Sequence, residues 1–241
     1  AFIWLYFYDK TKHKVYLIWI LLLSLILLFT KSRAAILMLI MYFFGYIILA
    51  KKRRFLFIKI IPAIIILSFL LYWAIFNIPI LYELIGFRME GVFGVFNSSY
   101  TMDASSYTRI NMMKYGIDMF KKHPFTGVGF GNYGYYAYHY YDLFTETYAH
   151  SNYIEILAGL GVAGIFLYYI LPVLSCITLG LTIKRTDGSR RKLCAFLFVA
   201  IIVRLITDFI KITYSDELTQ MINVICICGA SLINKMQKAG G

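Results

Sequence analysis

Six long apolar stretches dominate this sequence of 241 residues and limit what it can fold into. A helix that crosses the hydrocarbon core of a bilayer needs about 20 mostly apolar residues, with a range of about 17 to 25. The stretches run over Val15–Thr30, Ala34–Ala50, Phe55–Pro79, Asn152–Ile183, Leu193–Tyr214 and Leu218–Ile233. The content of 61% hydrophobic and 15% charged residues also departs from that of a soluble domain. The sequence therefore predicts an all-α, polytopic transmembrane helix bundle of six full spans, with a kink at Pro172 in the fourth.

Another apolar segment, Ala1–Tyr8, precedes the first full span and ends at Asp9 and a basic run. A secretory signal peptide carries its basic residues before its apolar region, which is the reverse of the order here. We interpret the segment as the stub of a further transmembrane helix. Residues 1–241 are then expected to form a single integral membrane domain, the C-terminal part of a longer chain.

The placement of the basic residues predicts which side of the membrane each connection faces. The chain carries 24 Lys and Arg against 12 Asp and Glu, a formal net charge of +12. When the six spans alternate, fifteen of the basic residues fall on one side, together with only two acidic residues, Asp9 and Asp187. The positive-inside rule makes that side cytoplasmic. Topology thus accounts for the excess positive charge, and no nucleic-acid partner is expected.

The cysteines offer no sign of a metal site or a disulfide frame. Cys176, Cys194, Cys226 and Cys228 all lie in apolar stretches and lack the spacing of metal ligands. We interpret them as small hydrophobic residues. The sequence predicts no metal and no cofactor.

One large segment, residues 82–150, is expected to face the extracytoplasmic side between the third and fourth spans. A connection of this length with structure of its own is usually functional. Ser105 and Ser106 are expected to cap a helix from about Tyr107 to Lys122, which Pro124 ends. The apolar stripe of this amphipathic helix is predicted at Ile110, Met113, Ile117 and Phe120.

Several charged residues stand out against this apolar background. Arg33 begins the second span with no acidic residue nearby, so either an anionic ligand or simple snorkelling explains it. Arg109 lies off the predicted stripe, where a single Arg is usually a solvated charge. Arg204 and Asp208 are four residues apart in the fifth span, and we expect them to pair on one helix face.

A glycine run, Gly127–Gly134, and a group of tyrosines follow the loop helix. No strand precedes the glycines and no Lys-Ser/Thr follows, so a tightly turned or flexible backbone near a ligand is favoured over a nucleotide site. The tyrosines are Tyr133, Tyr135, Tyr136, Tyr138, Tyr140, Tyr141 and Tyr148. Their rings suit stacking on sugars, but composition favours the interfacial belt of a membrane protein.

His150 lies where the outer segment meets the fourth span. A neutral imidazole at that position can take a proton from a hydroxyl, whereas a lone His more often makes one ordinary hydrogen bond. The outer side as a whole combines two arginines, one histidine, glycines and many tyrosines. This set suits a negatively charged, sugar-bearing, lipid-linked substrate.

Three motifs give the chain a resemblance to a known family. They are the Thr30–Arg33 turn that opens a span, the loop helix with Arg109 followed by His123–Tyr133, and the run His150–Gly164. In this order they resemble the O-antigen ligase and polysaccharide polymerase superfamily of bacterial inner membranes. Members of that superfamily have more spans than this chain, in keeping with a missing N-terminal part.

The resemblance implies glycosyl transfer on the extracytoplasmic face, from an undecaprenyl-diphosphate-linked glycan to the hydroxyl of a glycan or lipid-linked acceptor. It also implies inversion at the anomeric carbon and no divalent metal. Arg33 and Arg109 match the two arginines that neutralise the diphosphate. His150 matches the histidine that acts as general base.

Four further residues are candidates for supporting roles: Asn152, Glu155, Tyr133 and Asp208. The family usually has a carboxylate close to the glycine that follows the His motif, where this chain has Gly159. Glu155 is a candidate for part of that role.

The motifs do not choose among the acceptors. A polymerase of O-antigen, capsule or exopolysaccharide is favoured, with an O-antigen ligase acting on lipid A core close behind, and related enzymes that glycosylate proteins share the motifs. A transporter of lipid-linked glycans would use the same arginines without chemistry, although no internal repeat typical of transporters is visible. A purely structural membrane subunit would leave the His150 run unexplained.

Overall fold

The computed structural model describes residues 2–29, 33–50, 73, 77, 79, 104–141 and 145–239. Eight helices are formed by these residues: α1 (Phe2–Thr11), α2 (Val15–Phe29), α3 (Arg33–Ala50), α4 (Ala104–Lys122), α5 (Tyr133–Tyr140), α6 (Asn152–Arg185), α7 (Gly188–Thr207) and α8 (Glu217–Ala239). The described ranges contain no strand. The predicted all-α class is confirmed for this part of the chain.

Two of the described helices are long and apolar enough to cross a membrane. They are α6 and the Glu217–Met236 part of α8. The apolar parts of α2 and α3, Val15–Leu27 and Ala35–Ala50, are shorter. Most of the third predicted span, Phe55–Pro79, lies outside the described residues, as does much of the predicted loop 82–150. The bundle of six spans therefore stays a prediction.

The fifth predicted span differs most from the helix that corresponds to it. It was expected to reach Tyr214, but α7 ends at Thr207. The chain then turns, and the backbone N–H groups of Thr213 and Tyr214 both donate to the side-chain oxygen of Asn152. These hydrogen bonds tie the residues after Thr207 to the start of α6 and hold them outside the helix.

The chain divides into two compact units, Ala1–Lys52 with Gly116–Gly241 and Arg53–Tyr115. In the first unit α7 is central, since it packs against α3, α6 and α8. The core there consists of apolar side chains from these helices, among them Tyr46, Leu179, Ile183, Cys194, Leu197, Ile201, Cys226 and Ile233. In the second unit, the side-chain amide of Asn77 donates to the carbonyl oxygen of Trp73 at 2.8 Å.

An ion-pair cluster around the buried Asp9 carboxylate joins α1, α3 and α7 within the first unit. The Asp9 carboxylate lies 2.6 Å from Lys12 Nζ and 3.0 Å from Lys192 Nζ, and Tyr46 OH donates to it at 3.3 Å. A buried carboxylate is tolerated when cations and donors surround it in this way. The sequence predicts that Lys12 and Lys192 face the same side of the membrane. In the structure both contact the Asp9 carboxylate.

The loop helix α4 departs from its prediction at its first turn. It begins at Ala104, so Ser105 and Ser106 lie within the first turn and do not precede it as caps. The predicted end is confirmed, because α4 stops at Lys122, two residues before Pro124.

The face of α4 that packs against the rest of the protein differs in part from the predicted apolar stripe. The side chains buried along this helix are Met112 and Met119, with Gly116 between them, whereas Ile117 is 39% exposed. A Cβ atom at Gly116 would lie 2.3 Å from Ile154 Cγ2. Because Gly116 has no side chain, α6 can approach α4 closely. The face of α4 that carries Gly116 is therefore buried.

The backbone of α6 is broken at Gly161, which has φ 63° and ψ −158°, a break that the sequence did not predict. The peptide groups that the break frees are satisfied by the segment after α4. Val128 N–H donates to Ala158 O at 2.9 Å, and Gly129 N–H donates to Gly159 O at 2.8 Å. Val162 N–H donates to Pro124 O at 2.9 Å. The glycine run is thus a tightly docked segment.

We expect Gly127→Ala to destabilise the protein more than Gly131→Ala. Both residues have positive φ, 66° and 76°, so either alanine costs about 1 to 2 kcal/mol. A Cβ at Gly127 would lie 2.3 Å from the Gly159 carbonyl carbon, whereas one at Gly131 would meet nothing within 4 Å. The clash should cost roughly another 1 to 3 kcal/mol. Thermal unfolding of the purified protein in nanodiscs measures the difference, and equal Tm values would contradict the docking described above.

Candidate functional site

The backbone at His150 adopts a conformation that is uncommon for a residue with a side chain. Its φ is 54°, in the left-handed region. The ring of His150 is half-buried, and its centroid lies 4.3 Å from that of Tyr148. Residues of this kind cost about 1 kcal/mol or more and persist only where the surroundings fix them.

Before His150, the backbone is held by a carboxylate. Ala149 is fully buried, and its N–H donates to Glu155 Oε2 at 2.8 Å. Glu155 lies in the first turn of α6 and is itself buried. Because both groups are buried, breaking this hydrogen bond would leave a buried N–H without an acceptor, so the contact anchors the residue beside His150.

After His150, the chain is held by the end of α7. Asn152 N–H donates to the carbonyl oxygen of Asp208 at 2.7 Å, and Ser151 Oγ donates to the same oxygen at 3.3 Å. Ser151 and Asn152 are both buried. His150 is therefore clamped on both sides, by Glu155 within α6 and by Asp208 from α7.

The side chain of Asn152 has no exposed surface and uses both ends of its amide. Its Oδ1 accepts hydrogen bonds from the backbone N–H groups of Thr213 and Tyr214, each at 2.9 Å. Its Nδ2 donates to Tyr169 OH at 2.9 Å. One side chain thus fixes the start of α6 to the turn after α7.

The carboxylate of Asp208, also fully buried, is the centre of the same network. Its Oδ2 accepts from Tyr169 OH at 2.7 Å and lies 3.3 Å from the NH2 atom of Arg204, while Oδ1 accepts from Thr213 Oγ1 at 2.6 Å. The predicted pairing of Arg204 with Asp208 is confirmed. Both carboxylate oxygens therefore have hydrogen-bond donors, as a buried carboxylate requires.

Arg204 is buried and only partly hydrogen-bonded. Its NH2 also donates to Tyr168 OH at 2.7 Å, whereas its Nε and NH1 atoms have no hydrogen-bond partner within the part of the chain that the structure describes. The guanidinium carbon lies 5.0 Å from the centre of the Tyr168 ring and 5.5 Å from that of Tyr169. These aromatic faces stabilise the charge that hydrogen bonds leave uncompensated.

Sequence reasoning missed three members of this network: Tyr168, Tyr169 and Thr213. The two tyrosines stand in a long apolar stretch, where an aromatic residue gives no signal of a polar contact. The only available signal was the cost of a charged pair inside such a stretch, since Arg204 and Asp208 need further partners there.

The other residues predicted for the site lie in α3, α4, α5 and α6 and at the end of α7. Arg33 is the first residue of α3, and Arg109 is exposed on α4. Tyr133 is buried at the start of α5, and a Cβ at Gly116 would lie 3.2 Å from its Cε2 atom. The structure brings Asn152, Glu155 and Asp208 together around the backbone of His150.

A second polar group lies at the end of α4. Lys122 Nζ is 2.8 Å from Asp118 Oδ2 and donates to Tyr141 OH at 3.2 Å, and Tyr141 OH donates to Asp118. The hydrogen bond from Lys122 lowers the pKa of Asp118, and the same bond raises the pKa of Lys122. Both groups are therefore charged at neutral pH.

No group of three or more His, Cys, Asp or Glu side chains within the described ranges is arranged to hold a metal ion.

We expect Asn152→Ala to lower the free energy of unfolding by about 2 kcal/mol or more. The truncation leaves the buried N–H groups of Thr213 and Tyr214 without their acceptor, and each unsatisfied group costs about 1 to 3 kcal/mol. Asn234→Ala is the matched control, because Asn234 is exposed on α8 and its loss should stay within about 0.5 kcal/mol. Denaturant unfolding in detergent tests this, and similar midpoints for both variants would contradict it.

Comparison with known proteins places these residues in a family. A family model described as O-antigen ligase matches residues 18–169, more than half of the chain, and the match includes α2 to α5 and the His150 segment. No curated protein and no solved structure matches the chain. Membership of this family implies a membrane protein that takes part in glycan transfer in general and whose substrates are lipid-linked glycans. The chain belongs to the O-antigen ligase family of membrane glycan transferases.

Proposed function

We propose that this protein is a polymerase that extends O-antigen, capsule or exopolysaccharide chains at the outer face of the bacterial inner membrane. The donor is an undecaprenyl-diphosphate-linked oligosaccharide, and the acceptor is a hydroxyl of a second glycan. The family match supports glycan transfer in general. The single observation that carries the proposed mechanism is the clamped, left-handed backbone of His150.

His150 is proposed as the general base. It takes the proton of the acceptor hydroxyl while the acceptor oxygen forms its bond to the anomeric carbon. The bond between that carbon and the diphosphate oxygen breaks, and the diphosphate leaves on the opposite side with inversion. A base must lie within hydrogen-bonding reach of the proton it removes, so a rigid backbone at His150 serves this role.

Arg33 and Arg109 are proposed to bind the diphosphate. The leaving group gains negative charge as the glycosidic bond breaks, and guanidinium groups stabilise oxyanions through paired hydrogen bonds. Arg109 is exposed, as a residue that meets a lipid-linked substrate must be. This role requires neither a metal nor a cofactor.

Glu155 and Asp208 are proposed as positioning residues. Glu155 accepts from Ala149 N–H, and the carbonyl oxygen of Asp208 accepts from Asn152 N–H and Ser151 Oγ. Asn152 Nδ2 donates to Tyr169 OH, which donates to Asp208, so these side chains connect the start of α6 to the end of α7.

We expect His150→Ala to reduce glycan transfer by about 10²- to 10⁴-fold, the usual contribution of a general base. The assay uses the protein in proteoliposomes with a defined undecaprenyl-diphosphate oligosaccharide and EDTA, and product length is read on gels. His139→Ala is the control, since His139 is exposed on α5 and should leave transfer unchanged. Full activity of a folded His150→Ala protein would overturn the mechanism.

The same assay separates the proposed polymerase from other activities. Longer glycans made by the wild type, and not by His150→Ala, support the polymerase. Transfer only to added lipid A core would instead identify a ligase. Movement of the lipid-linked glycan across the bilayer without transfer would identify a transporter.

We expect Arg109→Ala to reduce transfer by about 10²-fold or more, because one donor to the developing oxyanion is lost. Arg109→Lys should recover only part of the loss, since an ammonium cannot make the paired contact of a guanidinium. Lys114→Ala, another exposed cation on α4, is the control and should keep wild-type rates. Initial rates of undecaprenyl-diphosphate release measure all three, and equal losses for Arg109→Ala and Lys114→Ala would refute a specific role.

A further inference from the structure

A cavity of about 290 Å³ lies beside the second polar group, at the end of α4. Its walls include Lys122 and His123 after α4, Val128 of the glycine run, and Tyr136, Tyr140 and Tyr141. The mechanism proposed above uses none of these residues. The volume is near the lower end of the range for ligand pockets, about 300 to 1,000 Å³, and suits a ligand the size of a sugar ring.

We propose that this cavity binds a sugar ring of the acceptor glycan. The inference rests on the proposed function, because it names the place where the second substrate of that reaction is held. It assigns recognition of the glycan to the cavity, and proton removal to His150.

The aromatic lining suits a ring that is apolar on its faces and polar at its edge. Tyr136 and Tyr140 lie side by side on α5, with ring centroids 5.2 Å apart and planes tilted by 35°. Tyr140 is 67% exposed. The C–H face of a sugar can cover such a ring while the phenolic oxygen stays available to a hydroxyl.

The charges at the cavity favour a neutral polyol over an anion. Lys122 is already balanced by Asp118 at 2.8 Å, and both bond to Tyr141 OH. A phosphate would have to compete with Asp118 for Lys122. Sugar hydroxyls both donate and accept, so they can join this trio of donors and acceptors without separating the two charges.

The cavity is built on the same framework as His150. Val128, in the cavity wall, donates its N–H to Ala158 O of α6, the helix that begins two residues after His150. Gly134 of α5 packs closely against the chain that leads into His150. A Cβ atom at Gly134 would lie 2.9 Å from Thr147 O. A glycan held in the cavity is therefore held by segments that contact the chain before His150, at Thr147, and the helix after it, at Ala158.

Binding of delipidated oligosaccharide tests the inference without any transfer reaction. The probe is the oligosaccharide that mild acid releases from the lipid-linked glycans of the native host, and saturation-transfer NMR with the protein in nanodiscs measures its Kd. We expect Tyr140→Ala and Lys122→Met each to weaken binding about tenfold through loss of one ring face or one charged donor. Tyr138→Ala is the matched control, an exposed tyrosine of α5 outside the cavity, and should bind like the wild type.

Kinetics in proteoliposomes separate failure of this inference from failure of the proposed function. The inference predicts that Tyr140→Ala raises the KM for the acceptor about tenfold and leaves kcat within about twofold. If the wild type transfers glycan and Tyr140→Ala matches it in Kd and KM, the cavity assignment fails and the proposed function stands. If the wild type binds the oligosaccharide through Tyr140 but transfers nothing, the proposed function fails and the sugar site stands.

Two further results would overturn the cavity assignment. Equal weakening by Tyr138→Ala and Tyr140→Ala would mean that the tyrosines act as a general interfacial belt. Displacement of the bound oligosaccharide by millimolar glycerol 3-phosphate, and not by excess methyl glycosides, would identify a site for lipid headgroups.

Discussion

The hydrogen bond from Asn152 N–H to the carbonyl oxygen of Asp208 is the contact on which the rest of the site depends. It joins the end of α7 to the start of α6, directly after His150. Because Asn152 and the Asp208 side chain lie in a fully buried network, separating the helices would expose or orphan several polar groups at once. Tyr169, which donates to Asp208 and accepts from Asn152, makes that cost cooperative.

A second constraint acts on the other side of the same segment. The break at Gly161 frees peptide groups of α6, and the chain from Pro124 to Gly129 bonds to them. The glycines there serve close approach, as the clash at a Gly127 Cβ shows. The first part of α6 is thus held by α7 on one side and by the glycine run on another. Two independent attachments allow His150 to keep a strained backbone.

Local patterns predicted part of this arrangement. Apolar length located α2, α3, α6 and α8, and the four-residue spacing predicted the pairing of Arg204 with Asp208. The break at Gly161 and the buried face of α4 depend on contacts between segments far apart in sequence, which periodicity does not contain. Tyr169 was missed for the same reason, since its partner Asp208 lies 39 residues away. The roles of His150 and Arg109 stay predictions, because they concern substrates and not packing.

The division of labour in the proposed site follows from how its polar groups are used. Asn152 and Asp208 are fully buried, and each bonds to other protein groups through both polar atoms of its side chain, while Glu155 is buried and holds Ala149 N–H, so these residues fix geometry. The cavity around Lys122 has the opposite character, with the exposed ring of Tyr140 and the trio of Lys122, Asp118 and Tyr141, whose donors and acceptors a polyol can join. In the proposed function, the chemistry assigned to His150 stays the same while the sugar bound in the cavity beside α4 can differ. The side chains of Lys122, Tyr136 and Tyr140 line that cavity and take no part in the described hydrogen bonds that hold the start of α6.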